Sequence, residues 1–226
     1  MGMIIRRPTV IVITTMRAEP ILTLAQWLSP AYPVGSFAYS HGLEWAVESG
    51  QVTDRKTLHI WLEAVLQHGA GMADARFLAA AYRVIDPTPI DAIARAFSAS
   101  TERLKETMLQ GAAFVRATAD IWETKLPELT YPVAVGQAAR LHELPLELTL
   151  NMYLQAFMSN LAAAGMRLIP LGQTDGQRVI KALTPLCIEL AEAALEGSLD
   201  DLSSTAFMSD IASMKHETQH SRIFRT

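Results

Sequence analysis

The run His216-Glu217-Thr218-Gln219-His220 matches H-E-x-x-H. On a helix that spacing puts two imidazoles one turn apart on the same face, where they bind zinc while the glutamate serves as a base. A hydrolase of that type needs a third protein ligand, and residues 221–226 hold no histidine and no carboxylate side chain. The motif also sits on a terminal segment rather than a rigid scaffold. A second candidate, Pro170-Leu171-Gly172-Gln173-Thr174-Asp175-Gly176-Gln177, places two glycines near a helix start, but lacks G-x-x-x-x-G-K-[ST], and Lys181 comes too late to reach a phosphate held there. It reads as a helix-to-helix turn. No G-x-S-x-G elbow occurs, and His41, His59, His68 and His142 have no close Cys or His companion in sequence. Cys187, flanked by Leu186 and Ile188, reads as a small buried hydrophobe, and a single cysteine forms no internal disulfide, which fits a reducing compartment. The chain offers no self-sufficient active site, so no catalytic residue, metal or cofactor is assigned.

Composition narrows the classes further. With 226 residues, half of them hydrophobic, there is enough apolar material for one full core. A net charge of -4 on mixed signs does not supply the clustered cations of a nucleic-acid groove, and no apolar run reaches the roughly 18 residues of a membrane span. Nucleic acid and membrane are therefore set aside as partners.

The elements that position these residues are helices. Apolar spacing favours helix almost everywhere after Pro20, which predicts an all-α, single-domain bundle of roughly eight to ten helices over residues 21–206. Thr53 is the expected N-cap of a helix whose buried stripe is Leu58, Trp61, Leu62, Val65 and Leu66, interrupted at Gly69 and Gly71. Asp86-Pro87-Thr88-Pro89 ends the next helix. A helix over about 102–121 should carry Leu104, Met108, Gly111, Ala112 and Val115 on one side, with Gly111 permitting close approach. A long central helix is expected over 146–168, and another after Gly176 that bends or divides near Pro185. Residues 1–20 read as a flexible extension. From about Phe207 the chain reads as a tail, loose in the isolated protein and ordered against a partner.

One stretch is richer than core packing requires. In Leu28-Ser29-Pro30-Ala31-Tyr32-Pro33-Val34-Gly35-Ser36-Phe37-Ala38-Tyr39-Ser40-His41-Gly42-Leu43-Glu44, two prolines stiffen a connector. Ser36 then caps a predicted helix that winds from Phe37 through Glu44. This run resembles the N-terminal signature of the urease accessory protein UreF family, S-P-x-x-P-x-G-x-F-x-Y-S-x-G-L-E. Two later stretches resemble the same family in the same order: Arg167-Leu168-Ile169-Pro170-Leu171-Gly172-Gln173-Thr174, and residues 210–226 with His216-Glu217 and Ser221-Arg222-Ile223-Phe224-Arg225-Thr226. The tail departs from the family pattern at His220 for tyrosine, Ile223 for leucine and Thr226 for serine.

The resemblance implies a cytoplasmic, non-enzymatic urease accessory protein. Proteins of this family form homodimers, bind UreD (UreH in some organisms) and together recruit the UreG GTPase that delivers nickel to the urease apoenzyme. It further implies partner-binding roles for Tyr39, Ser40, His41, Gly42, Glu44, Arg167, Gln173, His216, Glu217, Arg222, Phe224 and Arg225. Glu44 and Arg167 are the charged pair expected to matter for gating, and Arg222, Phe224 and Arg225 the expected anchors of the tail. Two rival readings stand beside it, a zinc hydrolase using the H-E-T-Q-H run and a helical interaction protein unrelated to urease.

Overall fold

The computed structural model describes residues 18–226. Over that span the chain folds into ten α-helices and two short 3-10 turns: α1 (Ala18–Trp27), α2 (Leu43–Glu48), α3 (Arg55–His68), α4 (Ala70–Arg83), α5 (Thr88–Ala96), α6 (Thr101–Trp122), α7 (Tyr131–Leu141), α8 (Leu146–Leu168), α9 (Gln173–Glu196) and α10 (Phe207–His216). The all-α expectation holds. The expected extension falls largely outside the described residues.

Local chemistry accounts for most boundaries. α3 starts one residue later than expected: Asp54, not Thr53, is its cap, its carboxylate accepting from Thr57 N while the Thr57 hydroxyl accepts from the Asp54 backbone. The predicted α3 stripe is buried in full. α8 threads the middle, packed against α9, α4, α3, α2 and α7, with Leu150, Leu154 and Met158 shut off from solvent. Pro185 does not divide α9, which runs unbroken past it. Both Pro185 and Lys181, whose carbonyl loses its helical donor, are exposed, so water can take the place of the missing bond. The Thr184 hydroxyl meanwhile bonds the Ile180 carbonyl at 2.9 Å.

α6 is rotated relative to its predicted stripe. Met108 is exposed, and the buried face is Glu106, Gln110, Gly111, Phe114, Val115 and Thr118. Gly111 does provide the expected close approach, since a Cβ there would lie 1.9 Å from the Leu129 carbonyl oxygen. The polar Glu106 and Gln110 face inward because the rest of the fold supplies partners for them.

Candidate functional site

The connector after α1 does not continue as one helix. Ser36–Ala38 form a 3-10 turn, Tyr39 is extended, and His41 and Gly42 take positive φ values of 54° and 76° before α2 begins. The expected helix from Phe37 to Glu44 gives way because residues 38–40 pair with the carboxyl end. Arg225 N donates to Ala38 O at 2.8 Å and Ser40 N to Thr226 O at 2.9 Å, and the Ser40 hydroxyl also donates to Thr226 O. Gly42 is required for a second reason: a Cβ there would meet Ser213 N at 2.6 Å, so α2 and α10 touch backbone to backbone.

The tail is folded back onto the domain, in contrast to the loose segment expected from Phe207. Glu44 is its receptor. One carboxylate oxygen accepts from Ile223 N at 2.6 Å, and the other accepts from Phe224 N at 2.9 Å and lies 3.0 Å from His216 Nε2. His216 Nδ1 lies 2.7 Å from Glu102 Oε2, and Arg222 binds the other Glu102 oxygen at 2.7 Å. Glu217 caps α6 by accepting from Thr101 N at 2.8 Å. Phe224 is buried, with the Arg167 guanidinium 4.3 Å above its ring, and Arg167 also donates to Phe37 O at 2.8 Å.

Beneath the tail lies a second, deeper cluster. Arg103 pairs with Glu106 and donates to His41 Nε2 at 2.8 Å, which is also 2.9 Å from Glu106 Oε1. Gln110 and the Thr226 hydroxyl donate to Glu106 as well, at 3.0 and 2.9 Å. Burial by itself would raise the Glu106 carboxyl, but Arg103 and His41 outweigh it and hold it at about 2. Burial, with Arg103 adding to it, lowers His41 below the ordinary imidazole value. Asp74 accepts from the Tyr153 hydroxyl at 2.9 Å, and burial pushes it up to about 6 against the opposing pull of Arg103. Burial, reinforced by the Glu106 charge, also raises the Tyr39 hydroxyl. Two cavities meet at this cluster, both lined by His41, Asp74, Arg103 and Thr107, and the second is walled by Asp210 and Ser213 of α10.

Residues 38–44, Arg167 from the middle stretch and the carboxyl end thus converge on one place, the junction of α2, α6, α8 and the carboxyl end. A family model described as UreF matches residues 52–184. The chain is 57% identical over 215 residues to the urease accessory protein UreF of Ruegeria pomeroyi, covering 94% of this chain and 99% of that one. It is 51% identical over 213 residues to that of Roseobacter denitrificans, covering 93% and 96%. To that of Rhodopseudomonas palustris strain BisB5 it is 47% identical over 225 residues, covering 93% of each. The chain belongs to the UreF family.

Most of the site residues named for this UreF-family chain are brought together, though not as first expected. Tyr39, Ser40, His41, Gly42 and Glu44 are buried under the tail rather than facing outward. Glu44 and Arg167 form no ion pair with each other; they grip Phe224 from two sides, its backbone and its ring. Gln173 stands apart, exposed in the first turn of α9 near the Asp175 that binds Arg55 and Arg178. The H-E-x-x-H reading fails on geometry. α10 ends at His216, so His220 is not one helical turn along the same face, and both His216 ring nitrogens are already spent on carboxylates. Among the described residues no group of three or more His, Cys, Asp or Glu side chains is arranged to hold a metal ion. Cys187 is buried and its thiol is pushed up to about 11 by burial, as suits a packed side chain.

Asp74, Glu102, Arg103, Glu106, Gln110 and Tyr153 were not singled out in the sequence. The signal for two of them was present: Glu106 and Gln110 precede Phe114 and Thr118 at strict four-residue spacing, which puts a carboxylate and an amide on the face that buries the phenyl ring.

Proposed function

We propose that this chain is a non-catalytic, cytoplasmic scaffold of urease maturation that forms a homodimer, binds UreD/UreH, and recruits and regulates the UreG GTPase for nickel insertion into the urease apoenzyme. Membership of a family whose relatives are named urease accessory proteins supports the setting. The chemistry of nickel supports the need for a scaffold: good nitrogen and sulfur sites bind it tightly, so guarded passage between proteins outcompetes free search.

The observation that carries the reading is the two-faced character of α10. Its inner side, Ala212, Ser213 and His216, is locked against α2 and α6. Its outer side exposes Phe207 (66%), Met208 (52%), Ile211 (43%) and Met214 (51%) at helical spacing. An apolar stripe on a helix held rigid from behind suits capture by another protein's groove. Within the described residues no helix is long and apolar enough to cross a membrane. Deleting 207–226 is a poor test, because it would also strip Phe224 and His216 from the interior. The cleaner variant is Phe207→Ser with Met214→Ser. It should keep the wild-type far-ultraviolet circular dichroism while losing co-purification with UreD and urease activation; full retention of UreD would overturn the docking role.

A further inference from the structure

We infer that Met208 and Met214 are a paired oxidation site, at which a peroxide turns the apolar outer face of α10 polar and so switches off its docking. Among the described residues three methionines are exposed, Met108, Met208 and Met214. Two of them stand on this one short helix, whereas Met72, Met152 and Met166 are half-buried and Met158 is shut off from solvent. Met108 lies on α6 with its sulfur 3.8 Å from an Arg95 guanidinium nitrogen. At about 100° per residue, Phe207, Met208, Ile211 and Met214 fall within an arc of about 120°, and the two methionines stand about 9 Å apart along the axis. Phe207 and Ile211 carry no group that a mild oxidant converts, so the two sulfurs are the points at which chemistry can change the polarity of this face.

The step is an oxygen transfer. A thioether lone pair attacks one oxygen of hydrogen peroxide; an S–O bond forms as the O–O bond breaks, and the other oxygen leaves as water with both hydrogens. Sulfur is oxidised by two electrons and the peroxide is reduced by the same two. The sulfoxide oxygen is a hydrogen-bond acceptor, and burying it in an apolar groove without a donor opposes association. The helix is held from its other side, by the backbone contact at Gly42, by Ser213 on Ser100 at 2.7 Å and by His216 on Glu44 and Glu102, and none of these contacts uses sulfur. Oxidation therefore alters the surface and leaves the fold in place. The loss of docking rests on α10 being a partner-binding face, as proposed for this chain; the change of polarity does not.

The test treats the isolated chain with dilute hydrogen peroxide, removes the peroxide, and maps the product by peptide mass. Met208 and Met214 should each gain one oxygen well before Met158 and Met166, the far-ultraviolet circular dichroism should not change, and elution from a phenyl column should move earlier. Capture of UreD by the treated chain should fall about tenfold or more, and return after treatment with methionine sulfoxide reductases and a thiol reductant. Met208→Leu with Met214→Leu keeps the face apolar without sulfur. Its capture and elution, each compared with its own untreated level, should not respond to peroxide. Interior methionines oxidised as fast as these two, an equal response in the leucine variant, or a doubly oxidised wild type that elutes and captures as before each overturns the inference while the docking reading stands. If the untreated chain captures no UreD, it is the docking reading that fails; the oxidation site then stands on a column shift seen in the wild type and not in the leucine variant, and falls without one.

Discussion

Asp74, half-buried, and Glu106, buried, lie near the same guanidinium, yet they sit on opposite sides of the ordinary carboxylate value. The difference is contact. Glu106 pairs with Arg103 directly, whereas Asp74 feels that charge at longer range and has the Tyr153 hydroxyl as its close partner. Their effects on stability therefore have opposite signs. Glu106, held at about 2, contributes stability above its unfolded value that is lost as the solution becomes strongly acid. Asp74, at about 6 when folded against 3.8 unfolded, keeps its proton in the fold after the unfolded chain has released it, so stability falls as pH rises from about 4 to about 6. The loss is up to about 3 kcal/mol for a shift of this size. Asp74→Asn should remove that slope, as measured by denaturant midpoints across the window; an unchanged slope would show that Asp74 does not retain its proton in the fold.

At the level of elements, close approach is the controlling quantity. α6 lies so near the loop entering α7 that Gly111 has no room for a methyl group, the clash being with backbone rather than with a side chain that could turn away. Gly111→Ala should therefore cost about 3 kcal/mol despite its better helix propensity, and thermal unfolding followed at 222 nm should show a clearly lower midpoint. A second link holds the same region. Asp91 on α5 accepts from Thr130 N at 2.6 Å at the entrance to α7 and from Arg95 Nε at 2.6 Å. The close approach at Gly111 in α6 was readable from the chain, as was the α3 stripe. The rotation of α6 was not: apolar periodicity counts Met108 as a core residue and Glu106 as a surface one, and it cannot see the arginine and histidine that make the reverse arrangement stable.

On the scale of the whole molecule, α8 contacts helices from both halves of the chain, and the carboxyl end closes back on the connector that follows α1. Trp27 is enclosed by Phe114, Trp122 and His142 at 5.4 to 5.6 Å between ring centroids, so it reports on packing between α1, α6 and the end of α7. Tryptophan fluorescence and far-ultraviolet circular dichroism should therefore lose their native signals at the same denaturant concentration. Separated transitions would mean that the helical units unfold independently. Sequence by itself determined that the chain is helical, where most helices begin and end, and which three stretches carry the family pattern, because caps, breakers and 3.6-residue periodicity act over short distances. Tertiary structure alone decided that residues from those stretches meet, that His216 spends both nitrogens on glutamates rather than on a metal, and that the tail covers Glu44. A buried polar group is stable only where its partners are, and here those partners lie more than a hundred residues away along the chain.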